Sequence, residues 1–182
     1  MKKNKLLIVV DMQNDFVTGS LANHAAEKII PNIVEKLRAE DYTYLIFTRD
    51  THQNNYLKTQ EGKNLPFEHC IEGTKGWEII PELQEFTKNA FIVDKPTFGY
   101  KDWENKLNEL FADENNHPDD FPEEIELCGV CTAICVSSNA TILKSLYPEM
   151  PIFIDSNCCA CLSEDTHNAA LEVMKTQQIC IK

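Results

Sequence analysis

The stretch Lys5-Leu6-Leu7-Ile8-Val9-Val10-Asp11-Met12-Gln13-Asn14-Asp15-Phe16 runs five apolar residues directly into polar ones. A short unbroken apolar run, ended abruptly, reads as a strand buried on both faces rather than as a half-solvated strand with alternating polarity. Residues 42–48, 90–93, 125–128 and 151–154 have the same apolar or β-rich character and a strand's length, and 178–181 adds a short sixth. Helical spacing separates most of them. Residues 25–39 place Ile29, Ile30, Ile33, Val34 and Leu37 on one face, and 103–111 do the same with Leu107, Leu110 and Phe111. Segments 132–146 and 164–174 complete the helical set. Buried strands alternating with helices predict a doubly wound, Rossmann-like α/β fold, with a mostly parallel six-stranded sheet and helices on both faces. At 182 residues the expectation is one domain over 1–182.

Ligands of such sheets bind at the carboxyl ends of the strands, so the residues just after each strand carry the functional information. The first strand is followed by Asp11, the second by Thr48-Arg49-Asp50-Thr51-His52, and the third by Asp94-Lys95-Pro96. The fourth is followed by Gly129-Val130-Cys131-Thr132-Ala133-Ile134-Cys135. Each junction carries a chemically active side chain. Cys135 falls in the first turn of a helix that Thr132 is placed to cap, where free backbone N–H groups and the helix dipole favour a nucleophilic thiolate. A lone free cysteine is more often simply buried, and its position after a strand is what raises the catalytic reading. Asp11 is placed to act as a general base, although aspartate is also a common turn residue. Lys95, following an apolar run, is either a desolvated ammonium that needs a carboxylate such as Asp11, or a strand-end lysine with its stem on apolar surface.

The segment 51–76 is long, has little periodicity, and holds His52, Glu61 and His69. Long ordered loops in compact domains tend to be functional. With Asp50 these side chains form a donor set suited to Zn²⁺ or another divalent transition metal, with hydrogen bonding inside the loop as the alternative. Cys128-x-x-Cys131 lacks a second pair at zinc spacing, and Cys158-Cys159-x-Cys161 is crowded for one ion, so buried thiols are expected there. His24 and His167 read as capping or packing residues.

Composition narrows the partners. The chain is 43% hydrophobic and 25% charged, as in an ordinary soluble globular protein. Lys and Arg number 17 against 29 Asp and Glu, a formal charge of −12 that repels phosphate backbones and anionic membranes. Neither nucleic acid nor membrane is expected as a partner. Half of that excess lies in 113–124, which holds six acids and no Lys or Arg and reads as a solvated surface excursion. The apolar run after Lys5 is too short for a signal-peptide core, so a cytoplasmic location with its eight cysteines reduced is expected.

Taken in order, these segments resemble the isochorismatase-like cysteine hydrolases, and within them the nicotinamidases. Val9-Val10-Asp11-Met12-Gln13-Asn14-Asp15-Phe16 is similar to the first-strand signature, and Gly129 to Val136 to the active-site stretch. Thr48 to His52, His69-Cys70-Ile71-Glu72-Gly73-Thr74 and the Lys95 junction follow in the expected places, so the likeness covers nearly the whole chain. It implies a cysteine-dependent amidohydrolase with a triad of Asp11, Lys95 and Cys135. It also implies a cis bond before Cys131, an oxyanion hole from the backbone N–H groups of Cys131 and Cys135, and Phe16, Phe67 and Val130 around the substrate. The implied cofactor is a divalent metal on Asp50, His52, His69 and, as a fourth ligand, Glu61. Zn²⁺ comes first, with Fe²⁺ and Mn²⁺ as alternatives.

The expected reaction is hydrolysis of nicotinamide to nicotinate and ammonia; a homo-oligomer is left open. The rivals are another small-amide amidase, an isochorismatase-type hydrolase lacking the metal site, and a catalytically silent binding protein. Besides Ala133, where nicotinamidases often carry aspartate, two departures from the nicotinamidase pattern stand out. Tyr56 follows the Asp-x-His pair where many members have a further histidine, and Leu65-Pro66-Phe67-Glu68 replaces a stretch with tryptophan before the later histidine. Either Phe67 supplies the missing ring wall or Pro66 takes its place.

Overall fold

A computed structural model of the protein describes residues 4–39, 42–111 and 121–182. In chain order the strands are β1 (Lys5–Val10), β2 (Tyr44–Asp50), β3 (Phe91–Lys95), β4 (Glu124–Val130), β5 (Ile152–Ala160) and β6 (Cys180–Ile181). The helices are α1 (Asn14–Val17), α2 (His24–Arg38), α3 (Gln60–Asn64), α4 (Gln84–Thr87), α5 (Trp103–Phe111), α6 (Ser137–Leu146) and α7 (Glu164–Thr176). All strand pairs are parallel, in the order β3-β2-β1-β4-β5-β6. Leu6 to Val10 are each 0% exposed. Because successive strand residues face opposite sides, this run shows that β1 is covered on both faces. The predicted doubly wound α/β sheet is the observed one.

The strand order reverses between β1 and β4, the position at which doubly wound sheets open a crevice at their carboxyl edge. Gly129 fixes how closely those two strands approach. It sits at φ +113°, and a Cβ there would lie 2.1 Å from the Val10 carbonyl oxygen. Only glycine fits both the backbone conformation and the space.

Several boundaries differ from the sequence-based expectation. Strand β2 is shifted two residues past 42–48, so Asp50 is its last residue rather than part of a following turn. Strand β5 runs on to Ala160, six residues beyond 154, through polar Asp155, Ser156 and Asn157. Those residues lie in a register shift between the pairs Leu127↔Ile154 and Gly129↔Cys159, an irregularity that alternation in sequence does not encode. The loop 51–76 is less irregular than expected, since a 3₁₀ turn (Tyr56–Lys58) and α3 lie within it. Most of the acidic segment 113–124 falls outside the described residues, and its last residue, Glu124, opens β4. Among the described residues, no helix is long and apolar enough to cross a membrane.

Candidate active site

Asp11 leaves β1 at φ 50°, a left-handed conformation that aspartate tolerates better than most residues. Its N–H meets both the carbonyl and Oγ1 of Thr48, each at 3.2 Å, and Thr48 Oγ1 donates to Asp11 Oδ1 at 2.6 Å. These contacts turn the carboxylate across the sheet's carboxyl edge. Lys95, the last residue of β3, is 0% exposed and brings Nζ to 2.6 Å from Asp11 Oδ2. The contact is an ion pair by distance, its angles falling outside hydrogen-bond geometry, and Nζ donates to the Thr97 carbonyl at 3.2 Å. Of the two readings of Lys95, the desolvated ammonium paired with Asp11 is the one observed.

Cys135 reaches the same place from β4. The Val130–Cys131 peptide bond is cis, and the chain then makes a π-type turn over Thr132–Val136 before α6. Cys135 is 6% exposed, and the Asp11 carboxylate lies within electrostatic reach of its thiol. Burial and the negative charge of Asp11 push its pKa well above the ordinary thiol value. The direction runs against the thiolate expected at a Thr132-capped helix start. Thr132 makes no cap; its Oγ1 pairs with His167 Nδ1 at 2.8 Å. The upward direction favours the neutral thiol, with the buried Asp11 carboxylate as its nearby base. Burial raises the Asp11 pKa while Lys95 opposes the rise, which leaves a carboxylate of increased basicity.

The second cluster is built on β2 and the loop after it. One ligand atom from each of Asp50, His52, Glu61 and His69 lies within 4.8 Å of the others. His52 Nε2 is 3.0 Å from Asp50 Oδ2 and 3.6 Å from Glu61 Oε1; His69 Nε2 is 3.6 and 3.7 Å from the same two oxygens. The Phe67 carbonyl can only accept, so His69 Nδ1 donates to it at 2.8 Å and leaves the Nε2 lone pair facing the cluster. His52 Nε2 and Asp50 Oδ1 are buried without a hydrogen-bond partner. Two imidazole nitrogens and two carboxylates converging on one point, with buried donor atoms unsatisfied, fit a divalent metal.

Both clusters open on one cavity of about 950 Å³. Phe16 and Val130 line it, as do Asp50, Glu61, His69, Cys131 and Cys135. Phe67 does not. Its ring is 56% exposed, and it contributes a carbonyl to His69 instead of a wall to the cavity. Tyr56, where a further histidine was absent, is fully buried and packs its ring 4.6 Å from His52 and 4.9 Å from His69.

Two residues given no role in the sequence reading hold the site together. Gln13 is 0% exposed, and its amide both accepts from Asp50 N at 2.7 Å and donates to Asp50 O at 2.9 Å. Asn139, also 0% exposed, accepts from Tyr100 N and Trp103 Nε1 and donates to the carbonyls of Phe98 and Cys135. A polar residue four positions after Cys135, on the same helix face, was the available signal for Asn139.

The chain is similar over nearly its whole length to nicotinamidases and pyrazinamidases. Over 187 residues, 96% of each chain, the protein is 29% identical to the nicotinamidase/pyrazinamidase of Mycobacterium tuberculosis. The crystal structure of a Bacillus subtilis nicotinamidase superposes with a TM-score of 0.80 at 27% identity, covering 100% of this chain and 99% of that one. A pyrazinamidase of Pyrococcus horikoshii, solved in complex with zinc, gives 0.77 at 27% identity over 98% of both chains. The profile described as the Isochorismatase domain matches residues 5–181, and the chain belongs to that family.

Proposed function

We propose that this protein is a cysteine-dependent amidohydrolase that converts nicotinamide to nicotinate and ammonia, with Asp11, Lys95 and Cys135 as its catalytic triad. The observation that carries the reading is a buried thiol, Cys135, on one cavity with Asp50, Glu61 and His69 of the four-residue cluster, at the strand edge where the buried Asp11 carboxylate and Lys95 ammonium pair. Homology to nicotinamidases and pyrazinamidases over nearly the whole chain supports the substrate.

In the first half-reaction Asp11 takes the proton of the Cys135 thiol as Sγ attacks the amide carbonyl carbon. The carbonyl π electrons move to oxygen, and the backbone N–H groups of Cys131 and Cys135 stabilise the oxyanion. When the tetrahedral species collapses, the C–N bond breaks, the amine takes the proton from Asp11, and ammonia leaves a thioester on Sγ. A water molecule then gives its proton to Asp11 and attacks the thioester. The C–S bond breaks, and the proton returns to sulfur. Lys95 holds Asp11 in place and keeps it ionised between transfers. When bound at the four-residue cluster, a divalent ion, Zn²⁺ first by the donor set, supplies a Lewis-acid centre for the substrate's ring nitrogen. Phe16 and Val130 flank the ring.

The test is ammonia release from nicotinamide, pyrazinamide and aliphatic amides by wild type and Cys135→Ala, with metal analysis on the same preparation. Turnover of nicotinamide that Cys135→Ala abolishes is the expected result. A panel with no amide hydrolysed, or a Cys135→Ala protein of full activity, overturns the assignment.

A further inference from the structure

The cavity is larger than a single-ring amide requires. Pockets of about 300–1,000 Å³ suit drug-sized ligands, and this one measures about 950 Å³. Its extent follows from the sheet. The metal-ligating set follows β2, Cys135 follows β4 and Leu162 follows β5, so the order β2-β1-β4-β5 puts Leu162 on the opposite flank of the nucleophile from the metal cluster. That flank is apolar, with Leu21, Ala22, Ile134 and Leu162 among its lining residues.

The flank is also preformed. Asn23 accepts from Ala25 N to cap α2, and its Nδ2 donates to the Cys161 carbonyl at 3.1 Å, tying the loop of Leu21 to the loop of Leu162. Cys131 Sγ lies 3.6 Å from the Sγ of Cys161, the residue just before Leu162. The shelf is thus fastened to the turn that carries Cys135. Leu162 is 75% exposed while lining this cavity, so a ligand resting on it would withdraw apolar surface from water. Among the described residues no Lys or Arg lines the cavity, so a phosphate or carboxylate extension would find no cation among them.

We infer that the preferred substrates are heteroaromatic primary amides carrying a fused ring or apolar substituent on the side of the ring away from the metal cluster. This inference rests on the amidohydrolase reading above. The probes are nicotinamide and isoquinoline-4-carboxamide, which keeps the ring nitrogen meta to the carboxamide and adds one fused apolar ring on the edge away from that nitrogen. Wild type is expected to hydrolyse the bicyclic amide with the higher kcat/KM. In Leu21→Ser/Leu162→Ser the ratio of the two kcat/KM values, bicyclic over monocyclic, is expected to fall by about tenfold, the scale of small apolar changes in a specificity pocket. Nicotinamide turnover with the bicyclic amide disfavoured, or a ratio unmoved by the double substitution, overturns the inference and leaves the amidohydrolase reading standing. Failure of wild type to release ammonia from either probe overturns both.

Discussion

Lys95 Nζ lies 2.6 Å from Asp11 Oδ2 and 3.6 Å from Asp50 Oδ1, so one fully buried ammonium joins the Asp11 carboxylate to a carboxylate of the proposed metal site. Parallel pairing explains the meeting. Asp50 and Lys95 are partners in the β2–β3 ladder, and Val10, just before Asp11, is the partner of Thr48 in the β1–β2 ladder. Desolvating an ammonium is costly unless its partners are close, and here two carboxylates compensate it.

Removing that cation should therefore damage stability and activity together. Lys95→Met is expected to lower unfolding free energy by about 3–5 kcal/mol, because it leaves buried carboxylates uncompensated. Amide hydrolysis should fall by about 10²–10⁴-fold, the scale of a lost general base. Adding Asp11→Asn should recover part of the stability and none of the activity. Denaturant melts beside initial rates check both; a fully active Lys95→Met protein would remove the lysine from the triad.

Glu61 is the least buried member of the metal cluster, with a side chain 22% exposed. It nevertheless lies 3.6 and 3.7 Å from the two imidazole Nε2 atoms. Glu61→Gln should weaken metal retention by at least about tenfold, and His52→Ala by more. Metal content after graded dialysis against a chelator measures this. Equal retention in Glu61→Gln and wild type would exclude the glutamate as a ligand.

Asn139 makes four hydrogen bonds with no exposed surface. Truncation to alanine strands the Trp103 indole N–H and three backbone groups, so a loss of at least about 1–3 kcal/mol is expected. Since two of those bonds hold Phe98 and Cys135, both at the cavity, kcat should drop in the folded variant as well. A variant destabilised but kinetically unchanged would confine Asn139 to packing.

At the opposite side of β4 and β5, Lys36 Nζ is 2.6 Å from both Glu126 Oε1 and Asp155 Oδ2, and Lys182 Nζ is 2.5 Å from Glu126 Oε2. Burial alone would raise the Glu126 and Asp155 carboxyls, but these ammonium groups hold both below their ordinary values. A depressed carboxyl pKa contributes stability that is fully present above the unfolded-state value, about 4, and is lost as pH falls through the folded-state value. Thermal midpoints should consequently fall steeply below about pH 4. In Lys36→Met the melting temperature at neutral pH should be lower and the acid slope shallower. An unchanged slope would locate the acid sensitivity elsewhere.

How far the sequence led can be judged residue by residue. The apolar run Leu6 to Val10 determines a strand covered on both faces, and helical spacing between such runs determines the doubly wound class. These are local periodicities, set by side chains a few residues apart. The carboxyl edge as the functional edge, and with it Asp11, Lys95, Asp50, His52 and Cys135 as residues to watch, follows from the same reading. The four side chains proposed to hold a metal were visible as a set because they fall in one loop or at its edge.

Only the tertiary structure decided what those residues do to one another. The fate of Phe67, whose ring faces out while its carbonyl orients His69, depends on the path of a loop with no periodicity. The upward shift of the Cys135 thiol depends on burial and on a carboxylate more than a hundred residues away, whereas the sequence shows only a helix start. Lys95 bridging Asp11 and Asp50 and Asn139 pinning Cys135 to Phe98 require strand order and register. Electrostatic and hydrogen-bond energies fall off over a few ångströms, so they are fixed by neighbours in space, and the chain brings those neighbours together only when the sheet has closed around them.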